Sequence, residues 1–171
     1  MALFDGIDLS RLFDNESEYG KRYCFGDITD ALIQRAEAKM GFRIPPSYRE
    51  LLSFRNGGMI SDELDESWLT AIYGISEEPD AENGLEEMFD NWREEWEYPD
   101  IGIPFGETQS AGHDMYYLDC RATDANGEPR IVRVDVEDMD EPKIYLVAEN
   151  LPDFIRLILK NEELAETLLE D

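Results

Sequence analysis

The chain is 171 residues long, with 42% hydrophobic and 11% aromatic residues, enough for one domain with a continuous core and too apolar for a disordered polyanion. Its 41 acidic residues against 15 basic ones leave a net charge of −26, which argues against nucleic acid and anionic membrane as partners, both being polyanions. The opening MALFDGIDLS lacks a basic export signal, no apolar run approaches the ~20 residues that span a bilayer, and two cysteines are too few for a disulfide framework; a reduced, soluble, cytoplasmic protein is the expectation.

The charge is unevenly placed. Residues 1–56 hold 9 acids and 8 bases, net −1, whereas 57–171 hold 32 acids and 7 bases, net −25. Within 62–100 there are 15 acids against Arg93 alone. Such a block either keeps the protein dispersed or forms a docking face that steers a basic partner.

In chain order, 27–40 (DITDALIQRAEAKM) is predicted helical, with Asp27 as N-cap, an apolar face of Ile28, Ala31, Leu32 and Ala36, and Gly41 as stop. IPPSYRELLSFRNGG at 44–58 follows with Pro46 in a first helical turn and Tyr48, Leu51 and Leu52 at helical spacing. Asn56 or Gly57 is expected to take the left-handed conformation that ends helices. SWLTAIYGI at 67–75 reads as a strand and acid-rich 76–83 as a loop.

Residues 84–97 (GLEEMFDNWREEWE) carry Leu85, Met88, Phe89, Trp92 and Trp96 on one helical stripe. Glu86, Glu87, Asp90, Glu94, Glu95 and Glu97 occupy the other faces, and Pro99 closes the helix. Strands are then predicted at 101–107, 113–120, 130–137 and 143–148, with Asn126-Gly127 as a hairpin signal. Asn150 caps a last helix expected to run over 150–170, with Phe154, Ile155, Ile158 and Leu159 as its buried face.

The sum is a single α+β domain: a largely antiparallel sheet of about five to six strands with four to five helices, and a peripheral N-terminal segment 1–26. Glu37, Met40-Gly41-Phe42-Arg43-Ile44-Pro45, Tyr48, Leu51-Leu52 and Asn56-Gly57-Gly58, taken in order, resemble the N-terminal signature of the SUKH superfamily. Ile103-Pro104-Phe105-Gly106, then Gly112-His113-Asp114 with Tyr117-Leu118-Asp119, look like its following strands. Val132–Val136 resembles the next strand, and Val147-Ala148-Glu149-Asn150-Leu151-Pro152-Asp153-Phe154 the entry to its last helix. The likeness covers about 28–160. It implies a non-catalytic protein: either a bacterial immunity protein that binds and blocks a toxin, often a nuclease, delivered by a neighbouring cell, or a regulatory scaffold like the fungal cell-wall-synthesis regulators of that superfamily.

The residues by themselves offer little chemistry. His113 is the sole histidine, too few for a histidine-based metal site, and reads as a strand-start residue. Cys24 and Cys120 read as buried thiols without a histidine partner motif. No nucleophile elbow, phosphate loop or calcium loop is present, so neither catalysis, cofactor nor metal is expected. The partner-binding candidates are Glu86, Glu87, Asp90, Glu94, Glu95 and Glu97, carboxylates spaced along one helix that would match the phosphate-binding groove of a basic toxin. Trp92 and Trp96 join them if exposed, and are core residues otherwise.

Overall fold

The computed structural model describes residues 2–15, 17–138 and 140–169. Four α-helices occur among them: α1 Asp30–Met40, α2 Pro46–Phe54, α3 Leu85–Asp90 and α4 Leu151–Lys160. The strands are β1 Gly58–Met59, β2 Leu69–Ile72, β3 Gly102–Thr108, β4 Asp114–Thr123, β5 Pro129–Asp135, β6 Lys143–Ala148 and β7 Thr167–Leu168. They form one seven-stranded antiparallel sheet in sequence order, an uninterrupted meander. The architecture is the expected α+β; the strand total is higher because β1 and β7 are two-residue edge strands with too little pattern to read.

Both faces of the sheet are covered. Tyr116 and Tyr117 are neighbours on β4 and therefore point to opposite sides. Tyr116 lies 4.9 Å, centroid to centroid, from Phe154 of α4, and Tyr117 stacks on Tyr98 at 5.8 Å. Phe105 of β3 meets both Tyr48 of α2 and Phe154 edge-on. The N-terminal segment is not peripheral: Phe4, Leu9, Leu12, Phe13 and Tyr23 are buried in the core. They sit in or beside short 3-10 turns, which lack the long apolar periodicity that makes a helix legible.

The helix caps follow the sequence with small shifts. Thr29, rather than Asp27, caps α1 through a bond from the Leu32 N–H at 3.2 Å. Asn150 accepts the Asp153 N–H at 2.8 Å, as a cap of α4 should. The N-terminus of α2 has no local side-chain cap. Buried Glu128, from the β4–β5 hairpin, accepts the Ser47 N–H at 3.0 Å and the Ser47 hydroxyl at 2.5 Å.

The C-terminal helix stops at Lys160 rather than continuing to 170. Asn161 adopts φ +52, and its side chain donates to the Glu63 carbonyl at 2.9 Å and accepts the Glu66 N–H at 3.0 Å. Continued helix would place Glu162 and Glu166 at i,i+4, a repulsive spacing. Instead β7 pairs with β6, and Glu166 reaches Arg133 at 2.5 Å.

The Asn56-Gly57 pair does more than end α2. Gly57 is left-handed, at φ +86, while the C-cap itself is Arg55 in extended conformation. A Cβ on Gly57 would stand 2.2 Å from the Tyr23 carbonyl oxygen, and one on Gly74 would stand 2.2 Å from the Asn56 carbonyl oxygen. Only glycines let these two backbones cross so closely. The buried Asn56 amide completes the crossing. Its Nδ2 donates to the carbonyls of Gly26 (2.6 Å) and Ile75 (2.8 Å), and its Oδ1 accepts the Ile75 N–H at 2.8 Å.

Asp119 is fully buried on β4 and held by Arg121 at 3.0 Å and Arg130 at 2.9 Å. Burial opposes its charge, but these arginines and the Arg121 N–H outweigh it and hold the carboxyl below its usual range.

Two outcomes test this framework. Asn56→Ala orphans the buried N–H and carbonyl of Ile75 and removes the bond to the Gly26 carbonyl; it is expected to cost about 3 kcal/mol, read as a lower urea midpoint, whereas Asn15→Ala should change it little. Asp119 has a folded-state value below its unfolded one, so its contribution is present above about pH 4 and lost as the pH falls through the folded value. Asp119→Asn should therefore lower stability at neutral pH and flatten the acid limb of a stability–pH curve.

Candidate partner-binding surface

The acidic segment begins where the crossing ends. The Gly74 carbonyl accepts the Leu85 N–H at 2.8 Å, fixing the start of α3 against the exit of β2. α3 does not extend through residue 97: a π-helical turn, Asn91–Glu95, follows it, and Glu97 at φ +55 closes the segment. The wider turn still brings Trp92 and Trp96 together, with ring centroids 5.5 Å apart. Single π turns recur where a helix must re-aim its side chains.

This geometry divides the eight sequence candidates. Glu86 is a core residue: its side chain is 5% exposed and bonded to Arg35, with N–O distances of 2.5 to 3.2 Å. The same guanidinium donates to the carbonyls of Ser76 (2.5 Å) and Glu77 (2.8 Å), tying the acidic loop to α1. Asp90 is half-buried and paired with Lys39 at 2.6 Å.

Trp92 is 5% exposed, and its Nε1–H donates to the Tyr73 hydroxyl at 3.0 Å. Tyr73 in turn accepts at its carbonyl from the Tyr48 hydroxyl, at 2.5 Å. Trp96 is half-buried and lies over Gly112, where a Cβ would meet its ring at 2.8 Å. Both tryptophans are therefore packing residues, because the stripe that carries them faces the sheet. Glu87, Glu94, Glu95 and Glu97 remain exposed and have no ion pair among the described residues.

A second surface carries the most exposed aromatic of the chain. Trp68 is 59% exposed and sits at φ +63, a conformation bulky residues rarely adopt, just before a bulge in β2. Its neighbours Ser67 and Leu69 are buried, and the left-handed backbone at Trp68 leaves the indole outward. It borders a cleft of about 300 Å³ floored by Thr108, Asp114, Tyr116 and Arg133 and walled by Glu66, Glu163 and Glu166. Arg133 is fully engaged: it bonds Asp114 at 2.8 Å and Glu166 at 2.5 Å, and lies 4.6 Å over the Tyr145 ring. Glu66 and Glu163 have no ion pair among the described residues.

Sequence reading missed Trp68 by counting it within a strand. No strand period reports it: Trp68 closes a turn, its N–H donating to the Asp65 carbonyl at 3.3 Å, and the strand begins only at Leu69.

His113 is exposed, and Cys24 and Cys120 are half-buried free thiols. Burial pushes Cys120 up to about 11, so it is no ready nucleophile. No group of three or more His, Cys, Asp or Glu side chains able to hold a metal occurs among the described residues, and no helix there is long and apolar enough to cross a membrane.

Residues 27–157 match the model of the SMI1 / KNR4 family (SUKH-1). The chain is a member of that family. The matched span runs from the entry of α1 into α4, and so takes in the glycine crossing, the acidic segment and six strands of the sheet. Membership in this SUKH-1 family makes the chain an immunity or SMI1/KNR4-type protein in general terms. No curated protein matches it.

The Arg35–Glu86 pair makes a test of the inward assignment. Arg35→Ala leaves a buried carboxylate without its counter-charge and releases loop 76–77. The expected cost is about 3 kcal/mol in the denaturant midpoint, whereas Glu94→Ala on the same segment should cost less than about 0.5.

Proposed function

We propose that this SUKH-1 protein is a non-catalytic immunity protein of the cytoplasm, soluble there, which binds and neutralises one cognate basic toxin of the nuclease type. The observation that carries the reading is the unpaired carboxylate row Glu87, Glu94, Glu95 and Glu97, on a segment pinned by Arg35, Tyr73 and Gly74. A nuclease groove is basic because it holds phosphate. Carboxylates on a backbone held by these bonds supply a competing polyanion at little ordering cost. Like charges so close repel one another in the free protein, and a basic partner relieves that repulsion.

Physical plugging of the groove is the mechanism: the toxin loses access to its substrate, and no bond is made or broken. The regulatory-scaffold reading shares the fold and needs no toxin.

Co-expression with the products of adjacent open reading frames, purified at low and high salt, tests the proposal. The expected result is a stoichiometric complex with one basic toxin domain, weakened about tenfold or more by salt and by the four Glu→Lys changes at 87, 94, 95 and 97. Those changes should abolish protection against that toxin while leaving the thermal midpoint nearly unchanged. Capture insensitive to salt would retain immunity and remove the carboxylate row from it. Capture of envelope or regulatory proteins alone would replace immunity with the scaffold reading.

A further inference from the structure

The cleft beside Trp68 lies apart from the carboxylate row, on the loop that enters β2 rather than the segment that leaves it. Its construction is rigid. Asn161 fastens residues 63 and 66 to the end of α4, the Tyr116 hydroxyl donates to the Ser67 carbonyl at 3.0 Å, and Gln109 N–H donates to the Trp68 carbonyl at 3.0 Å. The indole is thus held outward by backbone bonds on both sides, and its ring is left to solvent.

We infer that this cleft receives an arginine side chain of a protein partner, with the guanidinium on the Trp68 ring and its N–H groups on Glu66 and Glu163. Rigid, exposed tryptophans beside a concavity are the residues that most often anchor interfaces. A nucleobase would stack equally well on the ring, but the net charge of −26 repels its phosphates. Charge selects a cation instead. Of the lining side chains, Glu66, Asp114, Glu163 and Glu166 are acidic and only Arg133 is basic, already spent on Asp114 and Glu166.

The planar guanidinium suits the site better than an ammonium, because it stacks on an aromatic face while its edge donates to carboxylates. The chain already contains that arrangement in Arg133 over Tyr145, with carboxylates at its edge. The inference rests on the proposed binding of a basic protein, and adds a specific anchor to a diffuse charge match.

The first test needs no partner. The whole 15N-labelled chain is titrated with N-acetyl-argininamide at constant ionic strength, and the three indole N–H signals are followed, one for each tryptophan. A saturable shift at Trp68, with those of Trp92 and Trp96 unmoved, is the expected result. Trp68→Ala, followed at the Gln109 amide, should weaken the probe about three- to fivefold, and Trp68→Phe should restore part of the loss. Glu66→Gln with Glu163→Gln should weaken it while the thermal midpoint holds. A linear, non-saturating shift, or equal affinity in Trp68→Ala, overturns the inference.

Partner capture separates this inference from the immunity reading. Undiminished capture of a toxin by Trp68→Ala removes the anchor and leaves immunity standing. A saturable Trp68 site in a chain that captures no toxin leaves the anchor and removes immunity.

Discussion

The structure turns on a crossing of two backbones. Residues 56–57, leaving α2, pass so close to Gly74, leaving β2, that neither glycine has room for a side chain. Asn56 then treats the exit of β2 as a strand partner, exchanging a donor and an acceptor with Ile75 while reaching Gly26 with its second N–H. Buried backbone polar groups must be paired somewhere, and at this crossing one amide side chain serves both those of Ile75 as well as the Gly26 carbonyl. The Asn56 carbonyl also accepts the Phe25 N–H at 2.9 Å, so the N-terminal segment is drawn into the same knot.

Both candidate surfaces hang from that knot. β2 is four residues long, with the Trp68 loop on one side of it and the acidic segment on the other. Tyr73, immediately after β2, accepts from Tyr48 of α2 and from Trp92 of the π turn. Gly74 fixes the first residue of α3. A partner therefore meets carboxylates and an indole whose backbone supports are shared with the core, and pays little to order them. The same logic explains why two of the six carboxylates on the acidic segment are not free for a partner. Glu86 and Asp90 serve as counter-charges to Arg35 and Lys39, and tie the segment to α1.

Much of this was legible in the sequence, and what was not has physical causes. The helical periodicity of 27–40 and 151–160, the alternation of Val132, Val134 and Val136, and the Asn126-Gly127 turn are local signals, and each produced its element. The SUKH resemblance over 28–160 and the family match over 27–157 coincide almost to the residue. Three features were beyond local reading. The 3-10 turns of the N-terminus have no period long enough to show their buried face. The tail past Asn161 looks helical by composition but is captured by a sheet edge and by Arg133, both distant in sequence. The inward turn of Glu86 depends on an arginine 51 residues away. Trp68 was missed because it closes a turn in left-handed conformation ahead of β2, and neither strand nor helix periodicity reports such a residue.

The central claim, that the Asn56 crossing holds the framework from which both surfaces project, is tested most directly by native-state amide exchange at Ile75. Its N–H is bonded to a side chain rather than to a strand, so it exchanges slowly only if the crossing itself is closed. The expected result is protection equal to that of Leu118 and Val132 in the β4–β5 ladder, meaning that the amide opens with global unfolding. Fast exchange at Ile75 while the ladder stays protected would contradict it, because the crossing would then open on its own and could not be what fixes either surface.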